Sequence, residues 1–267
     1  MSHPRAKPAF TLVELLVVIG IIALLISVLL PVLSNAQKSS RQLKCLATLR
    51  QLGQIDALYQ VDNKGYRLWA YFGWSQASGG WNPSTPPNPD ADGPRRWWYQ
   101  NDVIVKTMGA PNPASFRYPD KVACPDAPLS EQRANKDGVT LHNSYSMNYT
   151  SLPGMNAALA PKYFNCWKTN QIVAPAEKIQ FCDGVSEGVS VSNSATNSSL
   201  RYYDPYYGPE FHEPPDKGST VAYRHKKGAN VLYYDGHGEW KRDDMLIVDP
   251  AKPESLVNLR QWQPKTK

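Results

Sequence analysis

The longest apolar stretch of the chain covers residues 10–33, and Glu14 is the one charged residue in it. The nineteen residues from 15 to 33 carry no charge at all. At 1.5 Å of rise per residue, a helix of this length spans about 28 Å, enough to cross the hydrocarbon core of a bilayer. The pattern therefore predicts a transmembrane helix. A carboxylate inside such a span costs up to roughly 2.5–3.5 kcal/mol, which makes Glu14 a functional candidate.

Beyond the apolar stretch the helical pattern continues and becomes amphipathic, because apolar residues recur at steps of three to four. These residues are Leu43, Leu46, Leu49, Leu52, Ile55 and Tyr59. The pattern ends at residues 62–65, where Gly65 is suited to stop a helix. The sequence thus predicts one helix of about 50 residues and roughly 80 Å, lipid-facing in its first half and packed under a globular domain in its second.

Segments after the helix predict short strands, because they alternate or are bounded by turn residues. Strands are expected at residues 121–124, 144–149 and 178–183, and a hairpin is expected from 229–234 to 237–241 through an Asp235-Gly236 turn. The 23 prolines, 15 tyrosines and 8 tryptophans favour loops and short strands over a helical bundle. The predicted fold class is α+β, with the long N-terminal helix packed on an antiparallel sheet.

Charge and motif content exclude several functions. The net charge of +6 is modest for 267 residues and no dense basic tract accompanies it, so nucleic acid is not an expected partner. No nucleophile elbow, phosphate-binding loop or zinc-protease motif occurs, so neither an enzyme nor a cofactor is predicted. Asp90, Asp92 and Gly93 hint at a calcium loop, but the other ligand positions of an EF-hand are absent.

The residues before the apolar stretch resemble a known signal. Residues 1–9 are short and basic, and residues 9–14 read AFTLVE. This is similar to the type IV prepilin signal, in which a small residue precedes Phe-Thr-Leu-x-Glu. The resemblance implies that a prepilin peptidase cuts between Ala9 and Phe10 and methylates the new amine of Phe10. Glycine is usual before the cut, so Ala9 departs from the common pattern.

The same resemblance implies roles for residues inside the helix. Glu14 is expected to meet the Phe10 amine of a neighbouring subunit, where each charge offsets the burial of the other. Gly20 and Pro31 match common pilin positions that allow the helix to bend. A plain signal anchor, with Glu14 near the lipid headgroups, is the alternative interpretation.

Two further segments resemble bacterial prepilin-like proteins. Residues 44–66 are similar to a recurring segment that begins Cys-x-x-Asn-Leu-Arg-Gln, with Thr48 in place of the asparagine. His225, followed after nine residues by Asp235 and Gly236, matches a C-terminal motif of a large prepilin-like family. We interpret His225 as a hydrogen-bond partner that ties the preceding loop to the hairpin. A metal or catalytic role for His225, Asp235 and His237 is the alternative.

The four cysteines are Cys45, Cys124, Cys166 and Cys182. They allow three pairings, and the absence of a CxxC spacing argues against a zinc ribbon or a thioredoxin-type centre. An export anchor would place them where disulfides can form. The family-like surroundings of Cys45 and Cys124 imply that these two pair, which leaves Cys166 for Cys182.

An aromatic-rich region follows the helix and surrounds a proline-rich loop at residues 82–95. Its tryptophans are Trp69, Trp74, Trp81, Trp97 and Trp98. We interpret these rings as the core of a loop-rich domain. An exposed platform that stacks on glycans is the alternative.

The function predicted from these features is assembly. The resemblance implies a leader at residues 1–9, an assembly helix at 10–33, its amphipathic continuation at 34–64 and an extracytoplasmic head at 65–267. The processed subunit is expected in the bacterial inner membrane, in contact with lipid and an assembly platform. It then joins like subunits and other pseudopilins in a type IV pilus-like or type II secretion filament. A tethered glycan-binding module and a DNA-capturing minor pilin are the alternatives.

Overall fold

The computed structural model describes ten parts of the chain, and all structural statements below concern these parts. They are residues 12–68, 71–72, 96–110, 117–127, 141, 144–148, 168–184, 188–189, 221–246 and 257–263.

The first element, helix α1, spans Leu12–Asp62 and confirms the single long helix that the sequence predicts. It ends at Asn63–Gly65, where Gly65 has a left-handed φ of +81° and its amide donates to the carbonyl of Gln60 at 2.9 Å. The chain divides into two units, Met1–Ser40 and Arg41–Lys267, and α1 continues from the first into the second. The helix is continuous across residues 33 and 34, where the sequence predicts the change from its apolar to its amphipathic part.

Within the described residues, seven strands and two short helices follow α1. The strands are β1 Tyr71–Phe72, β2 Arg96–Trp97, β3 Tyr145–Asn148, β4 Ile179–Asp183, β5 Gly188–Val189, β6 Gly228–Tyr233 and β7 Gly238–Arg242. The helices are α2 Asp102–Thr107 and α3 Leu259–Trp262. Strands β3, β4, β6 and β7 confirm four of the predicted strands, because each lies within a residue of its predicted bounds.

The main sheet has five strands in the order β5-β3-β4-β6-β7, so the α+β class is confirmed. Pairings β3–β4, β4–β6 and β6–β7 are antiparallel, as predicted. The sheet is nevertheless mixed, because β5 pairs in parallel with β3 through Met147 and Asn148. Strand β5 contains two residues, Gly188 and Val189, which is too short for an alternating pattern that sequence could reveal.

The strand predicted at residues 121–124 is wrong. Residues Asp120–Val122 form a turn of 3₁₀-helix instead, in which the amide of Val122 donates to the carbonyl of Pro119 at 3.0 Å. The amide of Ala123 likewise donates to the carbonyl of Asp120 at 3.2 Å. These amides are therefore used in bonds within the turn and not in bonds to a neighbouring strand.

The second half of α1 packs on one face of the five-stranded sheet. Leu49, Leu52 and Ile55 recur at helical spacing and are buried with Phe181 and Leu232. Gly53 of α1 faces Leu232, since an added Cβ at this position would lie 2.9 Å from Leu232 Cδ2. Each buried aliphatic side chain contributes about 1.5–3 kcal/mol, so this face fixes the helix to the head.

The opposite face of the sheet is also covered. Ile179, Cys182, Val231 and Tyr233 form a second apolar cluster with Trp262 of α3. The Trp262 carbonyl accepts from Asn148 Nδ2 at 2.9 Å, which ties α3 to β3. All six residues of β6 are buried, because the central strands are covered on both faces.

A buried ion pair fastens the end of α1 to the chain that follows. Asp56 accepts from Arg67 Nη1 at 2.8 Å and from the amide of Leu68 at 2.7 Å. Arg67 also donates to the carbonyl of Tyr234, so the same guanidinium reaches the end of β6. The carboxylate of Asp56 is thus held by two donors that follow the turn at the end of the helix.

Candidate functional site

The apolar part of α1 carries three of the predicted site residues. Glu14 lies in the first turn of the described helix with an exposed side chain. The helix passes through Gly20 and Pro31 without a break, although Pro31 has no amide hydrogen to donate to the carbonyl of Ser27. Ala9 and Phe10 lie outside the described residues, so cleavage, methylation and the Glu14 contact stay predictions.

The surface of this part of α1 is apolar on all sides. Its large apolar side chains from Leu12 to Leu33 are exposed, and none of its most apolar eighteen-residue window is buried. The helix is long and apolar enough to cross a membrane. Exposing an apolar surface of this size to water is unfavourable, so lipid or other protein is expected to cover it.

A buried polar cluster lies in the head, and we call it the cysteine–histidine cluster. It comprises Cys45, Cys124, Asp126, Asp183 and His225, each at most 6% exposed. Cys45 comes from the buried face of α1 and Asp183 from the end of β4, while Cys124 and Asp126 follow the 3₁₀ turn. Four distant parts of the chain therefore meet at one point.

Backbone contacts fix the position of His225. Its amide donates to the carbonyl of Gly228 at 3.1 Å, and its carbonyl accepts from the amide of Gly228 at 3.0 Å. These two bonds close a tight turn formed by Lys226 and Lys227. Both lysines adopt left-handed φ values of 54° and 60°. The His225 carbonyl also accepts from Trp240 Nε1 at 2.6 Å. The imidazole is therefore positioned by strands β6 and β7 as a unit.

The imidazole of His225 lies between two carboxylates. Its Nδ1 is 3.3 Å from Asp126 Oδ2, and its Nε2 is 3.5 Å from Asp183 Oδ2. Burial lowers the pKa of His225, but Asp183 and Asp126 outweigh it and raise that pKa to about 10. Burial raises the pKa of Asp183 to about 7, against the opposing effect of His225. The histidine is accordingly a buried cation at neutral pH.

The two thiols of the cluster are in direct contact. Cys45 Sγ lies 2.7 Å from Cys124 Sγ, and Cys124 Sγ lies 3.6 Å from His225 Nε2. The amide of Cys124 donates to Ser144 Oγ at 3.0 Å, which holds the second thiol in place. This is the pair that the resemblance implied. Cys182 lies in the apolar cluster on the other face of the sheet, and Cys166 is outside the described residues.

The donor atoms would allow two kinds of chemistry. The ligand atoms of Cys45, Cys124 and His225 all lie within 4.8 Å of one another, the one such grouping among the described residues. Thiolates and imidazole suit Zn²⁺. Two thiols in contact also suit a disulfide.

The motif His225-x9-Asp235-Gly236 does not form one site. Strand β6 separates its two halves by roughly 20 Å at 3.3 Å per residue. Asp235 Oδ1 accepts from the amide of His237 at 3.0 Å and lies 2.6 Å from its Nδ1, in an exposed position. Gly236 has a φ of +93°, which the turn requires. Asp235 and Gly236 shape the hairpin, while His225 belongs to the buried cluster.

Asp126 and Asp183 are the partners that the sequence does not reveal. Each follows a cysteine closely, in Cys124-Pro125-Asp126 and Cys182-Asp183, and this is the one local signal they carry. Nothing in such short segments indicates that both carboxylates face the same histidine. Their role depends on contacts between distant segments, which only the fold brings together.

The alternative sites lie mostly outside the described residues. Trp98 is fully buried against Phe181, at a ring-centroid distance of 5.1 Å, and so belongs to the core. The side chains of Trp69, Trp74, Trp81 and Trp97 are outside the described part of the chain. The same holds for the candidate calcium loop at residues 90–93.

Comparisons with known proteins identify the N-terminal part of the chain. A family model described as the prokaryotic N-terminal methylation motif matches residues 4–30. The type IV wide pilus major component PilA4 of Thermus thermophilus is 42% identical over 62 residues, which are 23% of this chain and 47% of that protein. The chain thus spans about half the length of this curated relative. No solved structure matches the chain significantly. The resemblance found at residues 9–14 is confirmed: this chain carries a prokaryotic prepilin signal, and its N-terminal part is homologous to a type IV pilin.

Proposed function

We propose that this chain is a structural subunit that assembles through its N-terminal helix into a type IV pilus-like or type II secretion pseudopilus filament. The observation that carries the proposal is the methylation motif at residues 4–30, which runs directly into an exposed apolar helix. Homology of the same region to a type IV pilin supports a structural rather than an enzymatic role.

In the proposed sequence of events, a prepilin peptidase cuts between Ala9 and Phe10 and methylates the Phe10 amine. The subunit then waits in the inner membrane, with lipid around the apolar half of α1 and the head on the extracytoplasmic side. An assembly platform in that membrane passes it to like subunits and other pseudopilins. Other subunits then replace lipid against the same helix surface, so burial of apolar area drives assembly.

Glu14 is proposed to set the register of this assembly. Two opposite charges 4 Å apart attract by about 4 kcal/mol at an effective dielectric constant of 20. A carboxylate within a membrane span costs roughly 2.5–3.5 kcal/mol at the centre and less toward the edge. An ion pair between Glu14 and the Phe10 amine of the next subunit therefore offsets the burial of the carboxylate. A misplaced subunit would lose that offset.

The first test is the mass of the processed product. The chain is co-expressed with a prepilin peptidase, and the intact mass of the membrane-extracted product is measured. We expect a chain that begins at a methylated Phe10. A product that still begins at Met1, or one cut after Leu33, would refute the leader interpretation.

The second test separates processing from assembly. Glu14→Val is expected to be processed normally but to enter filaments poorly, measured as the sheared-filament fraction relative to the membrane fraction. Asp62→Ala is the control, since it removes a carboxylate from the exposed end of the same helix. Filament entry by Glu14→Val at the control level would show that the pairing argument is wrong.

A further inference from the structure

We infer that Cys45 and Cys124 are joined by a disulfide bond that fastens α1 covalently to the head. The inference concerns a covalent bond inside the head and does not depend on filament assembly. The two cysteines are 79 positions apart in sequence, yet their sulfur atoms lie 2.7 Å apart. Both side chains are buried, at 0% and 2% exposure.

The separation of the sulfur atoms favours a disulfide over a metal site. A disulfide needs the two atoms at about 2.05 Å, which is about 0.7 Å closer than they lie. Two thiolates on a tetrahedral Zn²⁺, each about 2.3 Å from the metal, are separated by roughly 3.8 Å. The metal would therefore have to push the thiols apart by about 1 Å inside a packed core, which tolerates little movement.

The contacts of His225 also argue against a metal. A histidine that ligates a metal is neutral and offers a lone pair on one ring nitrogen. The Nδ1 of His225 lies 3.3 Å from Asp126, and its Nε2 lies 3.5 Å from Asp183 and 3.6 Å from Cys124 Sγ, so each ring nitrogen has a carboxylate oxygen within 3.5 Å. A disulfide carries no charge, so it can lie beside this ion pair without disturbing its balance.

The bond requires an external oxidant, and its chemical class follows from the reaction. One protein thiolate attacks a sulfur atom of an external disulfide and forms a mixed disulfide, releasing one external thiolate. The second protein thiolate then attacks the protein sulfur of the mixed disulfide and expels the other external thiolate. The two protein thiols lose two electrons and two protons in total, and the external disulfide becomes two thiols. Since both sulfur atoms are buried in the folded head, the exchange precedes closure of the head around them.

The test maps the bond in the full-length chain. The protein is extracted from membranes in detergent, its thiols are alkylated under denaturing conditions, and it is digested without reductant for mass spectrometry. We expect a cross-linked peptide pair that contains Cys45 and Cys124, lighter by two hydrogen atoms than the two reduced peptides together. In the matched control Cys182→Ala, the same cross-link is expected to persist, because Cys182 lies on the other face of the sheet.

Three outcomes would overturn the inference. The first is a cross-link from Cys45 to Cys166 or Cys182. The second is full alkylation of Cys45 and Cys124 in the denatured wild-type chain, with no metal found by elemental analysis of the native protein. The third is one equivalent of zinc per chain, with both thiols alkylated once a chelator has removed it, which would assign the cluster to a metal instead. The mapping uses the wild-type chain, so its result does not depend on whether a cysteine variant folds.

Discussion

Replacing His225 with glutamine removes the cation that balances Asp126 and Asp183. Glutamine retains hydrogen-bonding capacity, but it leaves the buried Asp183 without its histidine partner, while Asp126 keeps Arg41 at 3.2 Å as its remaining cation. Removing one partner of a buried ion pair costs about 3–5 kcal/mol. A second route gives a similar size, because the rise of the His225 pKa from 6.5 to about 10 corresponds to about 5 kcal/mol at 1.36 kcal/mol per pH unit. This is an upper limit, since a closed disulfide removes the part of the rise that comes from the Cys124 thiolate.

The pH dependence of this effect has a definite sign. The folded-state pKa of His225 lies above its unfolded value, so its stabilisation is fully present below pH 6.5 and is lost as the pH rises toward about 10. The pKa of Asp183 is also raised, from 3.8 to about 7. The contribution of Asp183 to the free energy of unfolding therefore falls as the pH rises through that range. Well above pH 7 the slope therefore comes from His225. His225→Gln should abolish it.

The assay is urea unfolding of the full chain in non-ionic detergent, followed by tryptophan fluorescence at pH 6.5, 8 and 9.5. We expect the free energy of unfolding of His225→Gln to fall by about 3–5 kcal/mol at pH 6.5. The difference from the wild type should narrow toward pH 9.5, as the wild-type imidazole loses its proton. A difference that is the same at all three pH values would refute a buried imidazolium, even if the variant is unstable.

His237→Gln is the matched control for His225→Gln. His237 also pairs with an aspartate, at 2.6 Å from Asp235, but its side chain is 45% exposed. Exposed ion pairs contribute about 0–1 kcal/mol. The control should therefore change stability by less than about 1 kcal/mol. An effect as large as that of His225→Gln would show that burial does not explain the contribution of the His225 ion pairs to the free energy of unfolding.

Three further changes test the fold by the same unfolding assay. Lys227→Gly should raise the free energy of unfolding by about 1 kcal/mol, because the left-handed φ of Lys227 is unfavourable for a residue with a Cβ; a lower stability would contradict this. Gly228→Ala should lower it by about 3 kcal/mol or more, since the new Cβ would lie 2.3 Å from a backbone oxygen of the neighbouring strand; wild-type stability would show that β7 can shift. Arg67→Met should lower it by about 3–5 kcal/mol, because Asp56 loses its buried partner. Burial raises the pKa of Asp56, and protonation relieves the unpaired carboxylate, so the Arg67→Met loss should shrink as the pH falls. Arg242→Met, at an exposed pair, should show no such change.

Local signals account for what the sequence predicts well. The spacing of Leu49, Leu52 and Ile55 predicts a helix that continues past the apolar stretch, and α1 indeed ends at Asp62. The hairpin is predicted because Asp235 and Gly236 suit a tight turn between two alternating runs. In both cases the information lies within a few residues, so no tertiary contact is needed to read it.

The cysteine–histidine cluster could be predicted only in part, because its members come from distant segments. Family-like surroundings pointed to Cys45 and Cys124, and motif spacing pointed to His225. Asp126 and Asp183 carry no comparable pattern. The motif itself joined His225 to Asp235, although the structure places these two at opposite ends of β6. Spacing in the sequence does not show which residues meet in space, because the extended strand β6 lies between His225 and Asp235.

The second half of α1 is attached to the head at two levels, by the Cys45–Cys124 contact and by the Asp56–Arg67 ion pair about 16 Å further along the helix. Between these two attachments, Leu49, Leu52 and Ile55 of the helix pack against the sheet. Separating this half of the helix from the head therefore requires both attachments, and the apolar contacts between them, to be broken.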